Sequence, residues 1–219
     1  VSCARSETGI VSAVHDISLG LARGTVTLLS GEHGCGKNLL LRIMGLLEMP
    51  DSGEVIFEGH STTGLAEELV KNLRDTSFGY VFAPPFLLPG FTVMENIAMP
   101  LFKILDLPPS EAQKRTERLL DLTTLTGLSS AKIEVLSSGL HLRVGLARAL
   151  GQLPPLIIVE EPDRVIFGAE MESFRTLLRR VATDFDCAVA VSIASKTATM
   201  PGERRIECAA GRIVCDVMP

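Results

Sequence analysis

The chain has 219 residues, 46% of them hydrophobic, enough for one large core with an attached lobe. A formal net charge of −5 and a pI near 5.4 argue against a nucleic-acid footprint, so no nucleic-acid partner is expected. No apolar run reaches the roughly 18 residues that cross a bilayer, and no signal peptide opens the chain. Any membrane role is therefore expected to come through a partner. The five cysteines, Cys3, Cys35, Cys187, Cys208 and Cys215, are odd in number and contain no CxxC pair. That excludes a disulfide framework or zinc site as the expectation and favours a reduced, cytoplasmic setting. The chain opens without Met, as a trimmed chain would.

Residues 1–30 read as β structure, with apolar Val11, Ile17 and Leu19 leading to a buried strand at Val26–Ser30. Gly31-Glu-His-Gly34-Cys35-Gly36-Lys37-Asn38 follows, with the G-x-x-x-x-G-K spacing of a phosphate-cradling P-loop. The glycines allow a tight loop whose N–H groups turn toward one anion, and Lys37 adds its charge at the positive end of a helix. A working P-loop next places Ser or Thr, whose hydroxyl ligates Mg²⁺. Here Asn38 stands in that position, so the cradle reads as intact and the metal site as altered. Cys35 reads first as a plain loop residue and second as a thiol acidified by Lys37 and the helix. His33 reads as solvent-facing; His15, His60 and His141 belong to no constellation.

Leu39 begins an apolar run predicted as a helix to about Glu48, stopped by the turn Pro50-Asp-Ser-Gly53. Strands are expected at Val55–Glu58 and Phe78–Phe82. Pro84, Pro85, Pro89 and Pro100 then change the character of the chain, which is predicted mostly helical to about residue 151. Ser110 with Gln113 suggests a capping box on a helix burying Leu119, Leu122 and Leu125 and ending at Gly127. Leu136-Ser137-Ser138-Gly139-Leu140 opens a second helix, reaching Gly151. A buried strand, Leu156–Val159, ends in Glu160-Glu161-Pro162. A helix with Met171, Phe174, Leu178 and Val181 on one face follows, then a strand at Ala188–Ser192. A hairpin of Arg205–Cys208 and Arg212–Val217, turned by Ala210-Gly211, closes the chain. Strands alternating with helices predict an α/β fold with a mostly parallel sheet and a ligand at the strands' C-terminal ends. Glu160 and Glu161 stand at that edge, which favours a site over two exposed charges.

The order of these pieces resembles the ATP-binding cassette (ABC) family, specifically nucleotide-binding subunits of lipoprotein-release and macrolide-export type transporters. The resemblance covers essentially the whole chain: Asp51–Phe57, Phe78–Phe82, Leu87–Ile97, Leu136–Gly139, Arg143–Leu150 and Gly211-Arg-Ile. It implies a P-loop NTPase (RecA-like) sheet with an antiparallel β subdomain and an inserted helical lobe. The nucleotide-binding core would comprise 1–82 and 152–219, and the lobe 83–151. It implies ATP as ligand, with Gly31, Gly34, Cys35, Gly36, Lys37, Asn38 and Leu39 in the cradle and Ser137 and Gly139 facing a second ABC subunit's nucleotide. It also implies Mg²⁺ near Asn38 and Glu160, Glu161 as general base, and a transmembrane permease received near residues 83–105. The chain would then sit on the inner face of the cell membrane.

Several positions depart from that pattern. Ala83 replaces the family's Gln, Leu140 the Gln of Leu-Ser-Gly-Gly-Gln, and Glu160 the Walker B Asp. Apolar Val165–Gly168 replaces the Ala-Leu-Asp loop, and Ile193 stands at the switch His, with no histidine after His141. The adenine-stacking aromatic should lie near Ala4 or Arg5, yet residues 1–50 contain no Phe, Tyr or Trp. Removing one catalytic group typically costs about two to four powers of ten in rate. The first expectation is thus an ABC subunit with weak or no hydrolysis, and the second an active ATPase with an unusual metal shell. A small-molecule kinase would not explain the Leu-Ser-Ser-Gly helix. An ABC protein acting on ribosomes or DNA would carry two cassettes or long insertions, and a basic face.

Overall fold

The computed structural model describes residues 1–7, 10–194 and 198–218, with side chains at 4–7 and 10–12 outside the description. The N-terminal part is an antiparallel pair, β1 (Cys3–Glu7) and β2 (Ile10–Val14). The P-loop strand is β3 (Val26–Ser30), every residue of it buried. Residues 15–25 run as loop, so the expected β structure at Ile17 and Leu19 does not form; Ile17 exchanges backbone bonds with Val1.

Helix α1 (Lys37–Met44) is shorter than predicted, because Gly45 caps it and Leu46 takes a left-handed φ of 59°. The strand expected at Val55–Glu58 is reduced to β4 (Ile56–Phe57), paired with β5 (His60–Ser61). Helix α2 (Glu67–Ser77) was not among the predicted elements; it fully buries no residue and packs half-buried Val70 and Leu73 on the core. Next come β6 (Phe78–Val81) and the helical lobe: α3 (Val93–Lys103), α4 (Pro109–Leu122) and α5 (Ser138–Leu150). The capping box lies at Thr92 and Glu95 on α3, not at Ser110. Pro109 occupies the first turn of α4 and moves the helix start ahead of Ser110, and α4 ends at Leu122, short of Gly127. The remaining elements are β7 (Leu156–Glu160), α6 (Gly168–Asp184), β8 (Ala188–Ile193), β9 (Glu203–Ala209) and β10 (Arg212–Val217).

The main sheet has the order β10-β9-β3-β8-β7-β6, parallel except for the edge strand β10. Its two faces carry separate cores. One joins α3–α6 through Ile97, Leu142, Phe174 and Val191; the other joins α1 through Leu40, Ile43, Ile158 and Ala190. Each fully buried Leu, Ile or Phe contributes about 2 kcal/mol relative to exposure, so α1 is held by its apolar face. This fixes the loop after β3 and the acids after β7 at one edge of the sheet. The architecture is the predicted P-loop α/β sheet with small antiparallel pairs and a helical lobe.

Candidate functional site

The Gly31–Lys37 loop connects β3 to α1 and depends on its glycines. Gly36 has φ 96°, and a Cβ there would meet the backbone carbonyl of Ala13. Gly34 is also left-handed, at φ 81°. The Cys35 carbonyl accepts from Gly211 N–H at 3.0 Å, tying the loop to the β9–β10 turn. Cys35 is buried, which favours its structural reading over a reactive thiol, whereas His33 is exposed as expected. The first turn of α1 holds no acidic residue of its own, so the negative charge at its positive end comes from elsewhere in the fold or from a ligand.

Two acids meet this cradle from the end of β7. Lys37 Nζ lies 3.1 Å from Glu161 Oε1, with both side chains almost wholly buried. Arg164 Nη1 reaches the other oxygen of Glu161 at 2.9 Å, and the Asn38 amide also bonds that carboxylate. Burial pushes the Glu161 carboxyl upward, but the hydrogen bond and charge of Lys37, the Asn38 amide and the Arg164 charge outweigh it. Its pKa is held below the usual value, so Glu161 is ionised at neutral pH. Its backbone is left-handed, φ 48°, and its N–H donates to the carbonyl and Oγ of Ser192 on β8. Glu160 faces the α1 side, where Arg42 Nη2 sits 3.0 Å from its Oε1.

Asn38 Oδ1 is buried and has no hydrogen-bond partner, an orphaned oxygen beside the cradle. It could supply one neutral ligand to a cation. Magnesium asks for near-octahedral oxygens, usually with a carboxylate among them. Glu160 is engaged by Arg42 and Glu161 by Lys37, and no group of three or more His, Cys, Asp or Glu gathers among the described residues. With both carboxylates engaged by cations, a magnesium ion held here would draw on Asn38 Oδ1 and take the rest of its shell from phosphate oxygens and water.

The remaining expected positions fall where the chain order put them. Ala83 follows β6, half-buried against the core, and cannot donate or accept through its side chain. Ile193 ends β8 fully buried. Ala194 N–H donates to Asp163 Oδ2 at 2.6 Å, linking the ends of β7 and β8. Ser137 caps α5, its Oγ accepting from Leu140 N–H at 3.3 Å, and Gly139 lies in the first turn. Both stand at the N-terminal end of α5. The side chains of Ala4 and Arg5, the expected adenine-stacking position, lie outside the described residues.

Sequence reasoning missed Arg42, Arg164, Asp163 and Ser192. Arg164, three residues beyond Glu161, was recoverable from spacing alone; Arg42 and Ser192 reach the acids only through the tertiary fold. A shallow apolar groove of about 510 Å³ lies between α3 and α4, lined by Phe91, Met94, Ala98, Met99, Phe102 and Pro109.

The family model for ABC transporters matches residues 14–164, which include the P-loop, the α5 motif and the paired acids. The chain belongs to the ABC transporter family. It is 31% identical over 204 residues to the lipoprotein-releasing system ATP-binding protein LolD of Bordetella avium, covering 93% of this chain and 88% of that one. It is also 38% identical over 173 residues to the methionine import ATP-binding protein MetN of Rhizobium johnstonii, covering 79% of this chain and 47% of the other. Among solved structures, a dimeric form of MJ0796, a bacterial ABC transporter cassette, superposes with TM-score 0.85. It covers all of this chain and 96% of that one at 26% identity. The fold class inferred from the sequence is therefore that of the family, and the chain is an ABC ATP-binding domain. No helix among the described residues is long and apolar enough to cross a membrane.

Proposed function

We propose that this chain is the ATP-binding subunit of a transporter complex, holding nucleotide at Gly31–Leu39 with weak or no hydrolysis of its own. The observation that carries this reading is the internal pairing of the charges at the sheet edge. Lys37 is countered by Glu161 and Glu160 by Arg42, while Ala83 and Ile193 supply no polar group to a water or a γ-phosphate. Triphosphate can take Lys37 from Glu161, because it offers more negative charge at the end of α1. Water positioning has no corresponding replacement.

In this reading residues 1–82 and 152–219 form the nucleotide-binding core and 83–151 the helical lobe. Ser137 and Gly139 face the nucleotide of a second ABC subunit, like or unlike this one. The groove between α3 and α4 receives a short helix of a membrane permease, which places the subunit on the inner face of the cell membrane. LolD-type and MetN-type relatives differ in cargo, so the cargo follows from the permease. The ionised Glu161 favours the second reading, an ATPase with that residue as base.

Calorimetric titration with ATP, in EDTA and with Mg²⁺, combined with phosphate release on the same sample, separates the two. Binding in both conditions without steady release is expected. Steady release that disappears in Glu161→Gln would overturn the inactive reading.

A further inference from the structure

Helices α5 and α6 are locked side by side by Arg143, whose Nη2 donates to Ser173 Oγ at 2.9 Å and whose Nη1 reaches Thr124 Oγ1 at 2.9 Å. One turn toward both N-termini from that lock, the helices present Gly139 and Glu170 to each other. The Glu170 carboxylate occupies the space that a Cβ on Gly139 would take, with its Oε1, Cδ and Cγ the nearest heavy atoms there. A carboxylate therefore lies over the first turn of α5, where the helix dipole favours negative charge. Glu170 also stands in the first turn of its own helix. A purely structural role would end there. Its position has a further consequence, because Ser137 and Gly139 belong to the stretch assigned above to another subunit's nucleotide.

We infer that Glu170 is an internal anion that occupies the phosphate-facing end of α5 and opposes closure of a nucleotide-bridged dimer. The inference rests on the proposed placement of Ser137 and Gly139 against a second subunit's triphosphate. A phosphate approaching the first turn of α5 meets the Glu170 carboxylate where the glycine leaves room for it. Glu170 is solvent-exposed, so the carboxylate can swing away, but doing so forfeits its contact with the α5 terminus. The Gly139 vacancy and the Glu170 charge thus act as one gate on association, separate from binding at Lys37.

The test uses the full chain and Glu170→Gln, which keeps shape and removes charge, with Glu170→Ala as a second variant. Self-association is followed by sedimentation velocity with and without millimolar ATP, and binding to the P-loop by a fluorescent ATP analogue displaced by ATP. Removing one charge within a few ångströms of a phosphate is expected to strengthen ATP-dependent association roughly tenfold, with analogue binding by the monomer unchanged. Equal association of wild type and both variants, including none in any of them, would overturn the inference and leave the ATP-binding reading standing. A gain in Glu170→Ala but not in Glu170→Gln would overturn it too, by showing bulk rather than charge. Failure of wild type to bind the analogue would remove the ATP-binding reading, and the inference with it.

Discussion

Replacing Glu161 with Gln tests whether the cradle is held shut by its own acid. The carboxylate pairs with Lys37 at 3.1 Å, and the side chains are 4% and 10% exposed. Removing one partner of a fully buried pair costs about 3–5 kcal/mol. The amide oxygen still accepts from Lys37, and the Arg164 contact, with Arg164 62% exposed, contributes little. A loss of about 2 kcal/mol remains, which lowers the melting temperature by roughly 4–8 °C for a chain of this size. Nucleotide binding should change in the opposite direction. A triphosphate on Lys37 leaves the displaced carboxylate about 5 Å away, a repulsion of roughly 1–3 kcal/mol at effective dielectric constants between water and a protein surface. Glu161→Gln should therefore bind ATP about tenfold more tightly. Melting followed by circular dichroism without nucleotide, and calorimetry in EDTA so that turnover cannot contribute, measure both effects. An unchanged melting temperature together with an unchanged Kd would refute the pairing as the element that closes the cradle.

The same pair predicts a pH dependence. Glu161 is held below its ordinary value of 4.5, so its stabilisation is present above the unfolded-state pKa and lost as pH falls through the lower folded-state value. The gap in melting temperature between wild type and Glu161→Gln should thus stay constant from neutral pH down to about pH 5 and narrow as the pH falls through and below the ordinary value of 4.5. Elsewhere, Arg175 and Glu203 form a buried ion pair joining α6 to β9, with side chains 4% and 0% exposed. Arg175→Met should lower the melting temperature by about 10 °C, and Arg175→Met with Glu203→Met should recover most of it, because the unpaired buried charge is what costs.

What was legible in the sequence tracks where burial dominates. β3, β7 and β8 are buried along their whole length, so their apolar runs were unambiguous. The turn at Ala210-Gly211 was equally plain, since both residues have positive φ. Helix α2 fully buries no residue and packs on the core only through half-buried Val70 and Leu73, so its short apolar stripe of Leu69, Val70 and Leu73 was easily missed among charges. Ser110 misled because a proline pair ahead of it sets the start of α4, while the Thr92–Glu95 box was present in the sequence and passed over. At the site, the P-loop and both acids could be placed from order alone. Their partners could not: Arg42 and Glu160 are 118 positions apart and meet only because α1 packs on the sheet beside β7.

The polar contacts of the helical lobe are distributed differently from those around Lys37 and Glu161. Asn96, fully buried on α3, accepts from Leu88 N–H at 2.7 Å and donates to the Leu88 and Thr92 carbonyls. Gly90 N–H donates to Glu134 at 2.5 Å, the Gly90 carbonyl accepts from Lys132 at 2.6 Å, and Arg148 holds the Phe86 carbonyl at 2.5 Å. The segment after Ala83 is thus pinned at both backbone groups of two residues, although Ala83 itself offers nothing polar. A loop fixed in this way loses little entropy when a partner docks, which favours association independently of any chemistry at Lys37. The absence of polar side chains at Ala83 and Ile193 leaves these backbone contacts of the segment after Ala83 in place. On the proposed reading, docking on a permease would survive in variants of Lys37 or Glu161 that alter nucleotide binding, and co-purification of such variants with a permease checks this.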